Sequence, residues 1–205
     1  MIKNFLSSIK KALLRKKELT IGFYGAPNVG KTTLANRICM DLTGEPIGSV
    51  STIPHETRKA QWKERIAVDV GGRVIWLNIL DMPGVAPSVD YRGFLPYNMS
   101  KKEAQKRAAE AINGIVEAIR LIERADMALV MADATKEPFS NENIMLLGNL
   151  EAREVPIILV ANKIDLKDAR SKRVRDAFSQ YDFVEISAST GENMGALYGA
   201  IAKKL

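Results

Sequence analysis

Gly25-Ala26-Pro27-Asn28-Val29-Gly30-Lys31-Thr32 decides the reading of this chain. The eight residues fit G-x-x-x-x-G-K-[ST]. They lie between a compact apolar run over residues 19–25 and an apolar-periodic segment through Leu34, Ile38 and Met40. A strand before and a helix after is the context that gives this pattern meaning. Backbone N–H groups from Asn28 to Thr32 are expected to point at phosphate oxygens, assisted by the helix dipole. The cradle is expected to comprise Gly25, Ala26, Asn28, Val29, Gly30, Lys31, Thr32 and Thr33. Lys31 would reach the β- and γ-phosphates, and the Thr32 hydroxyl would ligate Mg²⁺.

Outward from this loop, residues 45–61 lack periodicity and carry Pro46, Gly48 and Pro54, as a loop would. Residues 65–70 and 74–80 flank Gly71-Gly72, a hairpin signal. Residues 82–99, rich in Pro and Gly, read as a second irregular stretch. A long helix is expected over residues 100–124, opened by Ser100 with Glu103 three positions on, a capping box. Strand-like segments then alternate with helical ones: strands at 127–133, 155–161 and 183–187, helices at 140–153, 167–180 and 192–204. Such alternation predicts a mostly parallel sheet covered on both faces. The expected fold is α/β, with six strands of which one is antiparallel. In such sheets ligands bind beyond the carboxyl ends of the strands.

The remaining chemically suggestive residues fall at those ends. Asp81-Met82-Pro83-Gly84 follows the third expected strand. A carboxylate at Asp81 can hold a Mg²⁺-bound water, and the Gly84 N–H can approach a γ-phosphate with no side chain in the way. Thr57 is the preferred second Mg²⁺ hydroxyl, with Thr52 as a competing candidate. Asn162-Lys163-Ile164-Asp165 follows the strand over 155–161. The Asp165 carboxylate can accept from the N1–H and exocyclic amine of guanine, donors that adenine does not present together. ATP would leave that acceptor unpaired, a mismatch that can cost a factor of about 10⁴. Asn162 would brace neighbouring loops, and the Lys163 stem could cover the base plane. Ser187-Ala188-Ser189, after the last strand, would offer a backbone N–H to the guanine O6. Four signals in this order point to a GTP/GDP site rather than an ATPase.

Composition sets the outer bounds. The 205 residues are 46% hydrophobic and 26% charged, which suits a soluble globular domain. Cys39 is the single cysteine, which excludes an internal disulfide framework and suits a reducing cytosol. Net charge is +6, compatible with an anionic partner such as nucleotide, RNA or lipid headgroups. Lys3, Lys10, Lys11, Arg15, Lys16 and Lys17 cluster ahead of the first strand, interrupting Ile2, Phe5, Leu6, Ile9, Leu13 and Leu14. The spacing predicts a basic amphipathic helix over residues 1–18, ahead of a GTP-binding domain over 19–205. That helix either packs on the domain, lies on an anionic membrane, or docks on ribosomal RNA or a protein. The expected location is cytoplasmic, with a peripheral membrane mode open.

Over residues 19–205 the chain resembles the Era-type branch of the translation-factor-related GTPases. The marks are P-N-V-G-K-T at 27–32, Thr57-Arg58, D-M-P-G at 81–84, N-K-I-D at 162–165 and S-A-S at 187–189. The resemblance implies a P-loop G domain, GTP and GDP as ligands, Mg²⁺, and slow hydrolysis of GTP linked to ribosome or RNA assembly. It favours Thr57, because relatives place the Mg²⁺ threonine directly before that arginine. Relatives commonly have two threonines there, whereas this chain has Glu56-Thr57. Val85 stands where Ras-like proteins carry a water-orienting glutamine, so hydrolysis must be organised otherwise or with an activating protein. Several relatives with an asparagine matching Asn28 use a potassium ion near the phosphates, which makes Asn28 a candidate K⁺ ligand. Era proteins continue into an RNA-binding KH domain; this sequence is expected to be a stand-alone, archaeal-like G domain. His55 reads as a solvated loop residue, Cys39 as core, and Trp62 and Trp76 as packing residues beside the hairpin.

Overall fold

The computed structural model describes residues 18–43, 61–69, 74–81, 90–121, 124–139 and 141–204. Residues 1–17 of the expected N-terminal helix, and Thr52, His55, Thr57, Gly84 and Val85, lie outside these. Glu18 opens the first strand.

The strands are β1 (Glu18–Gly25), β2 (Gln61–Asp69), β3 (Val74–Asp81), β4 (Met127–Asp133), β5 (Ile157–Asn162) and β6 (Asp182–Ile186). The helices are α1 (Lys31–Thr43), α2 (Lys101–Leu121), α3 (Asn141–Glu151), α4 (Ser171–Ala177) and α5 (Met194–Lys204). One sheet of six strands runs in the order β2-β3-β1-β4-β5-β6. The β1–β3, β1–β4, β4–β5 and β5–β6 pairs are parallel, and β2 pairs β3 antiparallel. The antiparallel pair breaks register between Lys63 and Ile66. The expected turn residues Gly71 and Gly72 lie outside the described residues.

The central strands are largely apolar because both of their faces are covered. Strand periodicity sends alternate residues to opposite sides. Leu19, Ile21 and Phe23 of β1 join Met127, Leu129 and Met131 of β4 in one buried layer, beneath α1 and α5 (Leu34, Ile38, Leu197, Ile201). Tyr24 joins Ala128, Val130 and Ala132 in the other, beneath α3 and α4 (Leu146, Leu147, Leu150, Val174). Each fully buried large apolar side chain contributes about 1.5–3 kcal/mol, so these two layers hold the strand ends in place.

The second layer contains one polar misfit. The Tyr24 hydroxyl is buried with no hydrogen-bond partner among the described residues, and burial pushes its ionisation far above the usual phenol range. A Cβ placed at Gly22, two residues back on the same face, would lie 2.4 Å from the Tyr24 ring. The glycine therefore makes room for the tyrosine. Replacing Tyr24 by Phe removes the orphan hydroxyl and keeps the ring, so chemical denaturation is expected to show a gain of roughly 1 kcal/mol. A loss of stability would mean that the hydroxyl has a partner.

Helix α2 begins with the expected capping box. The Ser100 N–H and hydroxyl donate to Glu103 at 2.9 and 2.6 Å, and the Glu103 N–H returns a bond to the Ser100 hydroxyl at 3.3 Å. The segment expected to be irregular over 82–99 is corrected in its second half, where Tyr91–Tyr97 forms a 3₁₀ helix. Asp90 starts it by accepting the Arg92 N–H at 2.9 Å, and Asn98, at φ 57°, ends it in the left-handed region. Tyr91 and Met99 pack on Ala104 and Ala108 of α2. Pro and Gly here signalled a break in the α period, and a 3₁₀ turn tolerates both. The helix expected over 167–180 is shorter, Ser171–Ala177, because a series of tight turns occupies the residues before it. No helix among the described residues is long and apolar enough to cross a membrane.

Candidate nucleotide-binding site

Strand register brings the motif residues to one edge. Phe23 of β1 pairs Asp81 of β3, and Gly25 pairs Met131 of β4. Asp133 of β4 pairs Asn162 of β5, which pairs Ile186 of β6. The loop from Gly25, Asp81, the turn after Asn162 and Ser187-Ala188-Ser189 therefore all stand at the carboxyl ends of neighbouring strands. Strand β1 lies between β3 and β4, the place where the sheet order reverses and where open α/β sheets form their crevice.

The glycine-rich loop is shaped by close approaches. Gly25 has φ 138°, and a Cβ there would meet the Met131 carbonyl oxygen at 2.4 Å. Asn28 is exposed and left-handed at φ 60°, a conformation asparagine tolerates better than other side-chain-bearing residues. Lys31 is buried at the first turn of α1, and its ammonium donates to the carbonyls of Gly25 (3.1 Å) and Ala26 (2.9 Å). The cation is thus folded into the loop's concavity, where a phosphate would meet it together with the α1 N-terminus. Thr32 and Thr33 are half-buried in the same first turn.

Asn162 joins the two halves of the site. Its side chain is 3% exposed; Nδ2 donates to the Val29 carbonyl at 2.8 Å, and Oδ1 accepts the Ala188 N–H at 2.9 Å. The phosphate loop and the Ser187–Ser189 loop, 133 and 26 residues away in sequence, are held by one amide. Gly30 allows this, since a Cβ there, at φ 103°, would lie 2.3 Å from Nδ2. Lys163, left-handed at φ 71°, extends its ammonium to Asp133 at 2.6 Å. Burial opposes ionisation of Asp133, but hydrogen bonds from Lys163 and from the Thr135 hydroxyl and amide outweigh it and hold the carboxyl below its usual range. The contact of Asp133 with Lys163 was not foreseen; its one sequence signal was an acid ending an otherwise apolar strand. Asp165 is exposed, and its carboxylate has no partner among the described residues. An acceptor left open beside a fixed lysine stem suits a base that presents two donors.

A family description of 50S ribosome-binding GTPases matches residues 20–163. The chain belongs to that GTPase family. It is 29% identical over 195 residues to the GTPase Der of Clostridium acetobutylicum, covering 90% of this chain and 39% of that protein. It is 28% identical over 183 residues to the GTPase Era of Geotalea daltonii, covering 86% and 52%. It is 26% identical over 190 residues to the tRNA modification GTPase MnmE of Nitrosomonas eutropha, covering 93% and 36%. The chain thus spans about a third to a half the length of these curated relatives. The crystal structure of an Aquifex aeolicus Era variant bound to GDP and AlF₄⁻ superposes with a TM-score of 0.69 at 25% identity, covering 92% of this chain and 57% of that one. This similarity supports the Era-type G domain and a site for GTP or GDP. The phosphate loop, N-K-I-D and S-A-S elements meet in the crevice, with Asp81 at the end of the adjoining strand.

Proposed function

We propose that this chain is a GTP-binding switch that hydrolyses GTP slowly to GDP and phosphate, in the service of ribosome or RNA assembly. The observation that carries the reading is the Asn162 amide, which ties the phosphate loop to the loop after β6. In this reading Gly25, Ala26, Asn28, Val29, Gly30, Lys31, Thr32 and Thr33 hold the phosphates, while Asn162, Lys163, Asp165, Ser187, Ala188 and Ser189 hold guanine. Thr32 at the start of α1 and Asp81 at the end of β3, the strand beside β1, bring hard-oxygen donors of the kind Mg²⁺ takes. Thr32, Asp81 and Thr57 would hold that ion, which when bound neutralises charge on the phosphates. Lys31 adds a fixed positive charge, and the Gly84 N–H a donor to the γ-phosphate. Attack by water is in line and forms no covalent intermediate, so the protein contributes position and charge.

The Val85 side chain cannot hydrogen-bond to water, so another group must complete the site: a potassium ion at Asn28, or an activating protein. Unassisted switches of this class turn over at about 10⁻⁴ to 10⁻² s⁻¹. Single-turnover hydrolysis with Mg²⁺ in KCl is expected to exceed that in NaCl at equal ionic strength by about tenfold, the size of effect that one added charge at the phosphates can supply. Asn28→Ala should remove the difference. Equal slow rates in both salts would overturn the potassium role and leave the activating protein. No detectable hydrolysis with tight GTP binding would overturn the enzymatic reading.

The ribosomal or RNA partner is supported by the family's description and by the net charge of +6. An Era neighbour was solved with a 16S ribosomal RNA fragment, and that likeness, at 23% identity, supports the fold. A second reading places residues 1–17 on an anionic bilayer, because six lysines and arginines interrupt an apolar stripe there. Liposome flotation with and without those residues separates the two.

A further inference from the structure

Arg37 lies on α1, one and a half turns beyond Lys31, on the side of the helix facing α5 and the loop after β6. Its Nη2 donates to the Ser189 carbonyl at 2.7 Å, and its Nε to the Ala188 carbonyl at 3.4 Å. Gly191, left-handed at φ 85°, closes the turn beside the guanidinium, where a Cβ would stand 3.4 Å from Nη1. One turn further along α1, Asp41 accepts the Tyr198 hydroxyl of α5 at 2.5 Å, fixing the helix on which Arg37 sits.

The loop's other polar groups are also taken. The Ser187 N–H donates to the Glu192 carbonyl and its carbonyl accepts the Gly191 N–H. The Ala188 N–H goes to Asn162, and the Thr190 N–H to the Ser187 hydroxyl. Among the described residues, the Ser189 N–H is the one backbone group of Ser187, Ala188 and Ser189 without a partner. It belongs to the same peptide plane as the Ala188 carbonyl. That peptide is trans, so the two point in opposite directions. By holding the Ala188 carbonyl, Arg37 fixes the direction of the free N–H.

We infer that Arg37 is a positioning residue for guanine recognition: it clamps the peptides on both sides of Ser189 so that the Ser189 N–H is presented to the 6-oxygen of the base. A rigid planar fork suits two adjacent carbonyls, which an ammonium cannot match with the same geometry. The inference rests on the GTP reading of the site and adds to it a residue outside all of its motifs.

The test uses the full chain, with equilibrium binding of GDP, inosine diphosphate, 6-thioguanosine diphosphate and ADP. Inosine keeps the 6-oxygen and lacks the 2-amino group, whereas sulfur in 6-thioguanosine accepts hydrogen bonds weakly. The wild-type chain is expected to prefer GDP over the 6-thio analogue by about tenfold, the worth of one well-made hydrogen bond to the base. In Arg37→Ala, GDP and inosine diphosphate should weaken in parallel by about that factor, while the 6-thio analogue stays within about twofold. Arg37→Lys should recover part of the preference. Equal weakening of all the guanine analogues, or none, would overturn the clamp, because a merely structural arginine does not distinguish oxygen from sulfur at one ring position. A wild-type chain that binds ADP as well as GDP would instead overturn the GTP reading itself.

Discussion

Gly30→Ala is expected to abolish high-affinity nucleotide binding and to lower the melting temperature. The new methyl would sit 2.3 Å from Asn162 Nδ2, and the backbone at φ 103° is one that side-chain-bearing residues rarely adopt. The backbone strain costs about 1–3 kcal/mol. Displacing the amide breaks its bonds to the Val29 carbonyl and the Ala188 N–H, leaving buried groups unpaired at about 1–3 kcal/mol each. The phosphate loop and the loop after β6 then lose their common support. Binding of a fluorescent GDP analogue should fall by at least about a hundredfold, since each 1.4 kcal/mol is tenfold. Gly148→Ala in α3 and Gly199→Ala in α5 are matched controls, because an added Cβ meets nothing within 4 Å at either site. Both controls should be neutral or gain up to about 1 kcal/mol from helix propensity. A Gly30→Ala chain that binds GDP within threefold of wild type would show that the amide bridge is dispensable.

Asp165→Asn is expected to exchange guanine for xanthine as the preferred base. The side chain is exposed in the turn after β5 and has no partner among the described residues, so the isosteric change should leave the fold intact. The chemistry changes more than the shape. An ionised carboxylate only accepts, matching the two donors of guanine at N1 and at the 2-amino group. An amide keeps one acceptor for N1–H and turns its nitrogen, a donor, toward the 2-position, where xanthine carries a carbonyl. Sites that pair buried polar groups discriminate by about 10⁴ or more against a ligand that leaves them unmatched. Competition between GTP and XTP for the variant should show GTP weakened by about 10³ or more and XTP preferred. Undiminished GTP affinity would mean that the Asp165 carboxylate does not touch the base.

Local patterns carried much of this molecule because they record local constraints. The capping box at Ser100 and Glu103 was legible because both partners lie within one helical turn. The apolar run of β4 was legible because two-sided burial restricts composition at adjacent positions. The 3₁₀ helix at Tyr91–Tyr97 was not legible. Gly93 and Pro96 interrupt the α period in the same way whether the chain forms a 3₁₀ helix or no helix, and Asp90 resolves the choice only through its bonds to Arg92.

By itself the sequence determined the α/β class, the order of strands and helices, and the motifs that its GTPase family reading rests on. Each of these is a relation among residues close in the chain, and the carboxyl-end rule for α/β sheets then places the motifs together. Tertiary structure alone decided how the parts hold one another. The Asn162 amide spans 133 residues to Val29, Arg37 spans 152 to Ser189, and Lys163 reaches back 30 to Asp133. Each donor takes whichever acceptor the packing of the two layers sets within about 3 Å of it. No local pattern encodes that distance, because it is the sum of strand order, register and helix packing across the whole sheet.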